Sequence, residues 1–254
     1  MAISSAPARS SAGIRAWLID RKPTRTSRHR DVQGNAPRAA VLGAGDGLIT
    51  NVSLVLGVAG ASTNASTVRL AGVAGLLAGA FSMAAGELVS IRAQNELLQR
   101  ELQVEREELA EEPEAERREL AALYRARGVA PDDADTVARI LSSNAHLALD
   151  THARLELGID PDSASSAGRA GLASFVAFAL GAILPLLPWF FAHGGGAVVG
   201  SVIIGAVAAL ALGAVIGSFT GRGVGRTALR QFAAAVVAAA VTYGVGSLLG
   251  ISTS

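Results

Sequence analysis

The 254-residue chain is 50% hydrophobic and only 17% charged, with a mean hydropathy of +0.40, too apolar for a soluble domain of this length. It has no cysteine, which excludes disulfides, thiolate metal sites and thiol catalysis. Its net charge of +1 averages an acidic block against two basic ones, so it points to no partner, and no nucleic-acid ligand is expected.

The first segment, residues 1–35, is polar and basic and lacks the apolar core of a signal peptide, so a disordered tail is expected. Five apolar runs follow, each near the roughly 20 residues that a helix needs to cross the hydrocarbon core. They are Ala39–Ala61, Leu70–Ser90, Gly171–Ala192, Ala197–Phe219 and Gln231–Gly250. The expected division is residues 36–90 for spans one and two, 91–168 for a soluble insert, and 169–254 for spans three to five. Glycines at i,i+4 (Gly75/Gly79, Gly213/Gly217, Gly217/Gly221) support close helix packing, although 29 glycines also produce such spacings by chance.

The insert reads as three helices. The first continues from span two to about Glu112, where Pro113 ends it. The second covers about Glu114–Arg127 and stops at Gly128; the third opens at Pro131 and runs to about Leu157, before Gly158. The first needs no break from span two and would project as a stalk. Arginines precede span one (Arg21, Arg25, Arg28, Arg30, with Lys22) and lie between spans four and five (Arg222, Arg226, Arg230). Basic loops mark the cytoplasmic side, which puts the N-terminus and the insert inside.

Three features carry chemistry. Asp46 is a carboxylate inside span one, at a cost of about 2.5–3.5 kcal/mol on insertion scales; such residues usually face an ion or proton path, the plainer alternative being an Asp near the interface that caps or hydrogen-bonds a neighbouring helix. Gly43, Gly45 and Gly47 beside it would admit another helix or an ion, and Thr50 and Asn51 would add oxygen ligands. Met83, in span two, is one of two methionines and reads either as packing or as a thioether ligand for a transition metal. Glu87 lies near the cytoplasmic end of the same span, where it belongs to a pore mouth. The third feature is acidic. Glu101, Glu105, Glu108 and Glu112 share one helix face; Glu116 and Glu119 share another; Asp150, His152 and Glu156 lie on the third helix. Converging carboxylates would bind divalent cations. The plainer alternative is a solvated charged face, since Arg100, Arg106, Arg117 and Arg118 are close in sequence. No nucleotide-binding loop, nucleophile–base pairing or HExxH motif is present, so no enzyme is expected.

Four stretches together resemble the vacuolar iron transporter family and its nodulin-21-like and bacterial relatives. They are LGAGDGLITNVSLVLGVAGA, AGLLAGAFSMAAGELVSIRAQNEL, ELQVEREELAEEPEAERREL and SFVAFALGAILPLLPWF, and the resemblance runs from about residue 36 to the C-terminus. It implies an all-α membrane protein of five transmembrane helices, with a three-helix cytoplasmic metal-binding insert between spans two and three. It implies a homodimer that exports Fe²⁺, and often Mn²⁺, from the cytosol in exchange for protons, with no permanent cofactor. Asp46 and Met83 match the family's path-lining residues at the dimer interface. Glu105, Glu108, Glu116, Glu119 and Glu156 match its metal-capturing glutamates. Plant-type members carry a Met pair where this chain has His152 and Ala153, and members often carry an acid before the DG element where this chain has Arg38-Ala39-Ala40. Soft ligands are thus lost from the insert, and proton coupling is put in question. The alternative is a membrane-anchored metal-binding or sensing protein without transport. The Ala- and Arg-rich composition suits a high-GC bacterium, which would place the chain in the plasma membrane.

Overall fold

The computed structural model describes residues 35–62, 64–162 and 164–251, so the basic tail lies, but for Asn35, outside the described residues. All regular structure among them is helical. In chain order the helices are α1 (Asn35–Ala61), α2 (Ala65–Glu111), α3 (Pro113–Ala126), α4 (Pro131–Ser142), α5 (Ala145–Leu155), α6 (Ala167–Leu186), α7 (Pro188–Phe191), α8 (Gly194–Thr220) and α9 (Val224–Ile251). Five of them, α1, α2, α6, α8 and α9, are long and apolar enough to cross a membrane.

Helix α1 is the centre of the bundle and packs against α2, α6, α8 and α9. Its glycines make this possible. A Cβ at Gly43 would fall 2.8 Å from the Ser174 carbonyl oxygen, and one at Gly47 would strike the Phe178 backbone. From the other side, a Cβ on Gly181 would strike the Ala44 carbonyl. The backbones of α1 and α6 therefore meet directly, as they do in membranes where dispersion contacts replace the hydrophobic effect between helices. The other edge of α1 does the same with α9: a Cβ on Gly246 would strike the Gly57 carbonyl, and one on Gly250 would lie 2.7 Å from the Ala61 backbone.

Gly213 and Gly217 likewise seat α8 on Thr227 and Ala228 of α9. Gly221, expected as the next member of that series, is instead the left-handed C-cap of α8 at φ 66°, with open space where a Cβ would stand. Gly75 and Gly79 admit Leu54 and the Phe178 ring rather than another backbone.

Span three is shorter than expected. It ends at Leu186, and Pro188 opens the separate short helix α7, because a proline without N–H cannot continue the ladder. The Pro185 carbonyl lies just before the break, among buried residues. The buried Ser201 hydroxyl donates to it at 2.7 Å, and the buried Trp189 Nε1–H donates to Ser201 Oγ at 3.0 Å.

Helix α2 has 47 residues, about 70 Å of helix against roughly 30 Å of hydrocarbon core. Asn64 caps its start by accepting from the Ser66 and Thr67 amides. The apolar run ends near Ser90, so the rest projects beyond the spanning segment and carries the insert. A small core of Leu120, Ala121, Ala138 and Leu141 holds α3 to α4. The expected single helix from Pro131 to Leu157 is two helices. They divide after Ser142, and Asn144 caps α5 by accepting from the Leu147 amide at 3.1 Å. Short polar side chains that bond locally to the backbone favour such a break.

Candidate metal centre

The insert gathers its acidic residues by three independent placements. Glu105 stands on the outer part of α2 and is buried there, 2% exposed. Glu112 ends α2 in a non-helical conformation, and Pro113 at the first turn of α3 sends the chain back. Glu114 and Glu116 then lie in the first turn of α3, where negative charge suits the helix dipole. Gly128, at φ 89°, lets the chain turn again. Helix α5 supplies His152, and Glu156, the C-cap four residues on and still in helical conformation, falls on the same face.

These placements converge on one nitrogen. His152 is fully buried, and its Nδ1 lies 3.1 Å from Glu105 Oε1, 3.5 Å from Glu116 Oε2 and 3.4 Å from Glu156 Oε2. Only the last has hydrogen-bond geometry. All four ligand atoms lie within 4.8 Å of one another. Glu105 Oε1 and His152 Nε2 are buried with no hydrogen-bond partner, an arrangement that costs on the order of 1–3 kcal/mol per group.

No arginine among the described residues pairs with these carboxylates. Arg117 is engaged with Glu114, Arg125 with Asp135 at 2.9 Å, and Arg106 with Gln103 at 3.0 Å. Asp150, expected with the acidic face of the third helix, is not in the cluster. It accepts from Arg154 at 2.9 Å, and Arg154 also reaches Asp160 at 2.8 Å, which ties α5 to the loop after it. Glu108 and Glu119 are exposed and also lie outside the four-residue group. Their charges still reach it. Glu105, on the part of α2 beyond the membrane-spanning segment, is pushed up to about 7 by burial and then by the charges of Glu156, Glu116, Glu108 and Glu119. Burial also raises Glu116, partly offset by His152. Burial and like charges together favour the neutral forms of these two carboxyls.

Within the spans, Asp46 is exposed on α1 and accepts from the Thr50 hydroxyl at 3.4 Å. Asn51 does not join them. It is buried, and its amide donates to the Ala182 carbonyl at 2.5 Å, locking α1 to α6. Gly43 and Gly47 are likewise used by α6, leaving no gap for an ion on that face. Met83 is half-buried against Ala80, Phe178 and Ala182. Glu87, one turn on, faces Arg38 of α1 at 3.8 Å. That pair was not foreseen, and neither was Asn95, whose side chain bonds the Ser165 backbone; no periodic pattern links partners 49 or 70 residues apart.

The fold and the site define a multi-pass helical membrane protein whose second span extends into a carboxylate–imidazole cluster. A sequence model of the VIT family matches residues 37–247. The chain is 32% identical over 211 residues to vacuolar iron transporter 1 of Arabidopsis thaliana, covering 83% of this chain and 84% of that protein. It is 36% identical over 224 residues to the vacuolar iron transporter of Acanthamoeba castellanii, covering 87% and 82%. It is 30% identical over 233 residues to vacuolar iron transporter 1 of Oryza sativa subsp. japonica, covering 90% and 92%. The chain belongs to the VIT family, a family of transporters and not of enzymes.

Proposed function

We propose that this protein is a proton-coupled exporter of divalent iron or manganese that works as a homodimer. The observation that carries the reading is the convergence of Glu105, Glu116 and Glu156 on His152, with no arginine among the described residues paired to them. Three oxygens and one nitrogen suit Fe²⁺ or Mn²⁺, and the absence of sulfur at this site disfavours Cu⁺. Glu108 and Glu119 form an outer rim that draws the ion in. The insert and the N-terminus lie on the cytosolic side, as the basic segments before span one and between spans four and five direct. The membrane is the plasma membrane of a bacterium, a location drawn from composition; the relatives named above are vacuolar in name.

From the insert the metal passes along α2 to Glu87, Met83 and Asp46. Asp46 is exposed on a single chain, and a second copy packed over it would shield the carboxylate from lipid and double the ligands. A carboxylate ligates only when ionised, so a proton arriving from the far side releases the metal and supplies the counter-flow.

Reconstitution into proteoliposomes tests this. Fe²⁺ movement that rises with an opposing proton gradient and is lost in Asp46→Ala is the expected result. Metal binding without flux would leave a membrane-anchored sensor instead.

A further inference from the structure

Glu87 lies on the proposed metal path, but its partner Arg38 has no role in it. A guanidinium nitrogen of Arg38 lies 3.8 Å from Glu87 Oε1. The two partners are in unlike settings: the Arg38 side chain is 61% exposed and that of Glu87 is 18% exposed. The separation is too long for a hydrogen bond, and Glu87 Oε1 is shielded from solvent without any hydrogen-bond partner. The carboxylate is therefore balanced in charge but not in coordination. Its counter-ion is a flexible side chain whose head stays in the solvated layer, the usual behaviour of arginine near the end of a span.

Position gives the pair its meaning. Met83 lies one turn before Glu87 on α2, about 6 Å deeper into the apolar layer at the rise of a helix. Asp46 lies eight residues beyond Arg38 on α1, about 12 Å deeper. In the other direction α2 runs unbroken from Glu87 to Glu105 of the insert. The pair thus stands between the insert cluster and the two deeper residues.

We propose that Arg38 is a tethered cation that occupies Glu87 until a metal ion displaces it, and that it selects divalent over monovalent ions on the path. This rests on the transport reading above. A divalent ion brings two charges to about 2.1 Å from a carboxylate oxygen, whereas the guanidinium brings one charge to the observed 3.8 Å. The divalent ion wins this exchange. A monovalent ion brings one charge, keeps much of its water and gains little over Arg38.

The test uses the full chain in proteoliposomes with Fe²⁺ and competing Na⁺ or K⁺, comparing wild type, Arg38→Gln, Arg38→Lys, Glu87→Gln and the Arg38→Gln/Glu87→Gln double variant. Arg38→Gln should lower the half-saturating Fe²⁺ concentration about two- to fivefold, the scale of a partly exposed ion pair, and let monovalent salt inhibit. Arg38→Lys should stay close to wild type, which also controls for folding. In the Glu87→Gln background Arg38→Gln should change nothing. An unchanged half-saturation in Arg38→Gln, or an effect that persists without Glu87, overturns the proposal. If wild type carries no flux, the transport reading falls by itself. The same substitutions are then compared by anaerobic Fe²⁺ binding in protein whose insert is silenced by Glu105→Gln and His152→Ala. Tighter binding on loss of Arg38, only when Glu87 is present, supports the pair's role; equal binding overturns it.

Discussion

His152 Nδ1 lies 3.1 Å from Glu105 Oε1, yet the two do not form a hydrogen bond. Both side chains are almost wholly withdrawn from water, the carboxylate on α2 and the imidazole on α5. Glu105 Oε1 and, on the far side of the ring, His152 Nε2 are each left without a hydrogen-bond partner. Under the proposed metal-binding role, a cation would take the orphaned carboxylate oxygen as a ligand.

Replacing His152 with alanine should lower Fe²⁺ affinity of the insert by about one to two orders of magnitude, since one of four donors is lost. His152→Met should retain binding but move preference toward softer ions. Competition titrations of the full-length protein with Fe²⁺, Mn²⁺ and Cu⁺ read both effects. Equal affinities in wild type and His152→Ala would place the ion elsewhere.

Metal capture should be steeply pH-dependent around neutrality. Glu105 is raised from 4.5 to about 7, so near pH 6 it holds a proton that a metal must expel, and near pH 8 it does not. Affinity should therefore rise from pH 6 to pH 8. The metal-free protein should show the opposite trend. A carboxyl whose pKa is raised by folding adds stability below its unfolded value near 4.5, and that stability is lost as pH rises through about 7. Metal-induced increases in melting temperature should accordingly be larger at pH 8 than at pH 6. Glu105→Gln should flatten both trends.

The five spans were legible because twenty apolar residues in a row have few other uses. The turns of the insert were legible because Pro113, Gly128 and Pro131 act locally. The division at Ser143-Asn144 was missed, although a Ser-Ser-Asn run followed by an apolar stretch is a cap signal. The cluster itself was only half legible. The stripe Glu101, Glu105, Glu108 and Glu112 treats four carboxylates alike, and only the packing of α3 and α5 onto α2 singles out Glu105. Likewise, Thr50 and Asn51 looked equally suited to assist Asp46. They sit 100° apart on a helix, which sends one to Asp46 and the other to Ala182.

The α1–α6 crossing should be intolerant of even one methyl group. A Cβ at Gly47 or Gly181 meets backbone atoms of the facing helix, which cannot rotate away. Gly47→Ala and Gly181→Ala should each cost about 1–3 kcal/mol, seen as a lower melting temperature in detergent. Gly86→Ala, in the same span as Met83 but with open space at its Cβ, should leave melting unchanged and serve as the control. A Gly47→Ala protein as stable as Gly86→Ala would mean the helices cross farther apart.

Asn95 should hold the exit of the insert against the stalk. Its Nδ2 donates to the Ser165 carbonyl at 2.9 Å, and its Oδ1 accepts from the Ser165 amide at 3.3 Å. One side chain thus pairs both backbone groups of a residue seventy positions away, just before the Ser166 cap of α6. Two such bonds contribute about 1–3 kcal/mol together. Asn95→Ala should therefore raise hydrogen exchange at residues 164–166 by roughly one order of magnitude or more, while α1 and the rest of α6 stay protected. Asn95→Asp keeps the acceptor and loses the donor, so it should fall between the two. Because the clamp lies beyond the cluster and touches none of its ligands, Fe²⁺ affinity of the insert should be unchanged in both variants. A parallel loss of affinity would show instead that this linker positions α5, and with it His152, over Glu105.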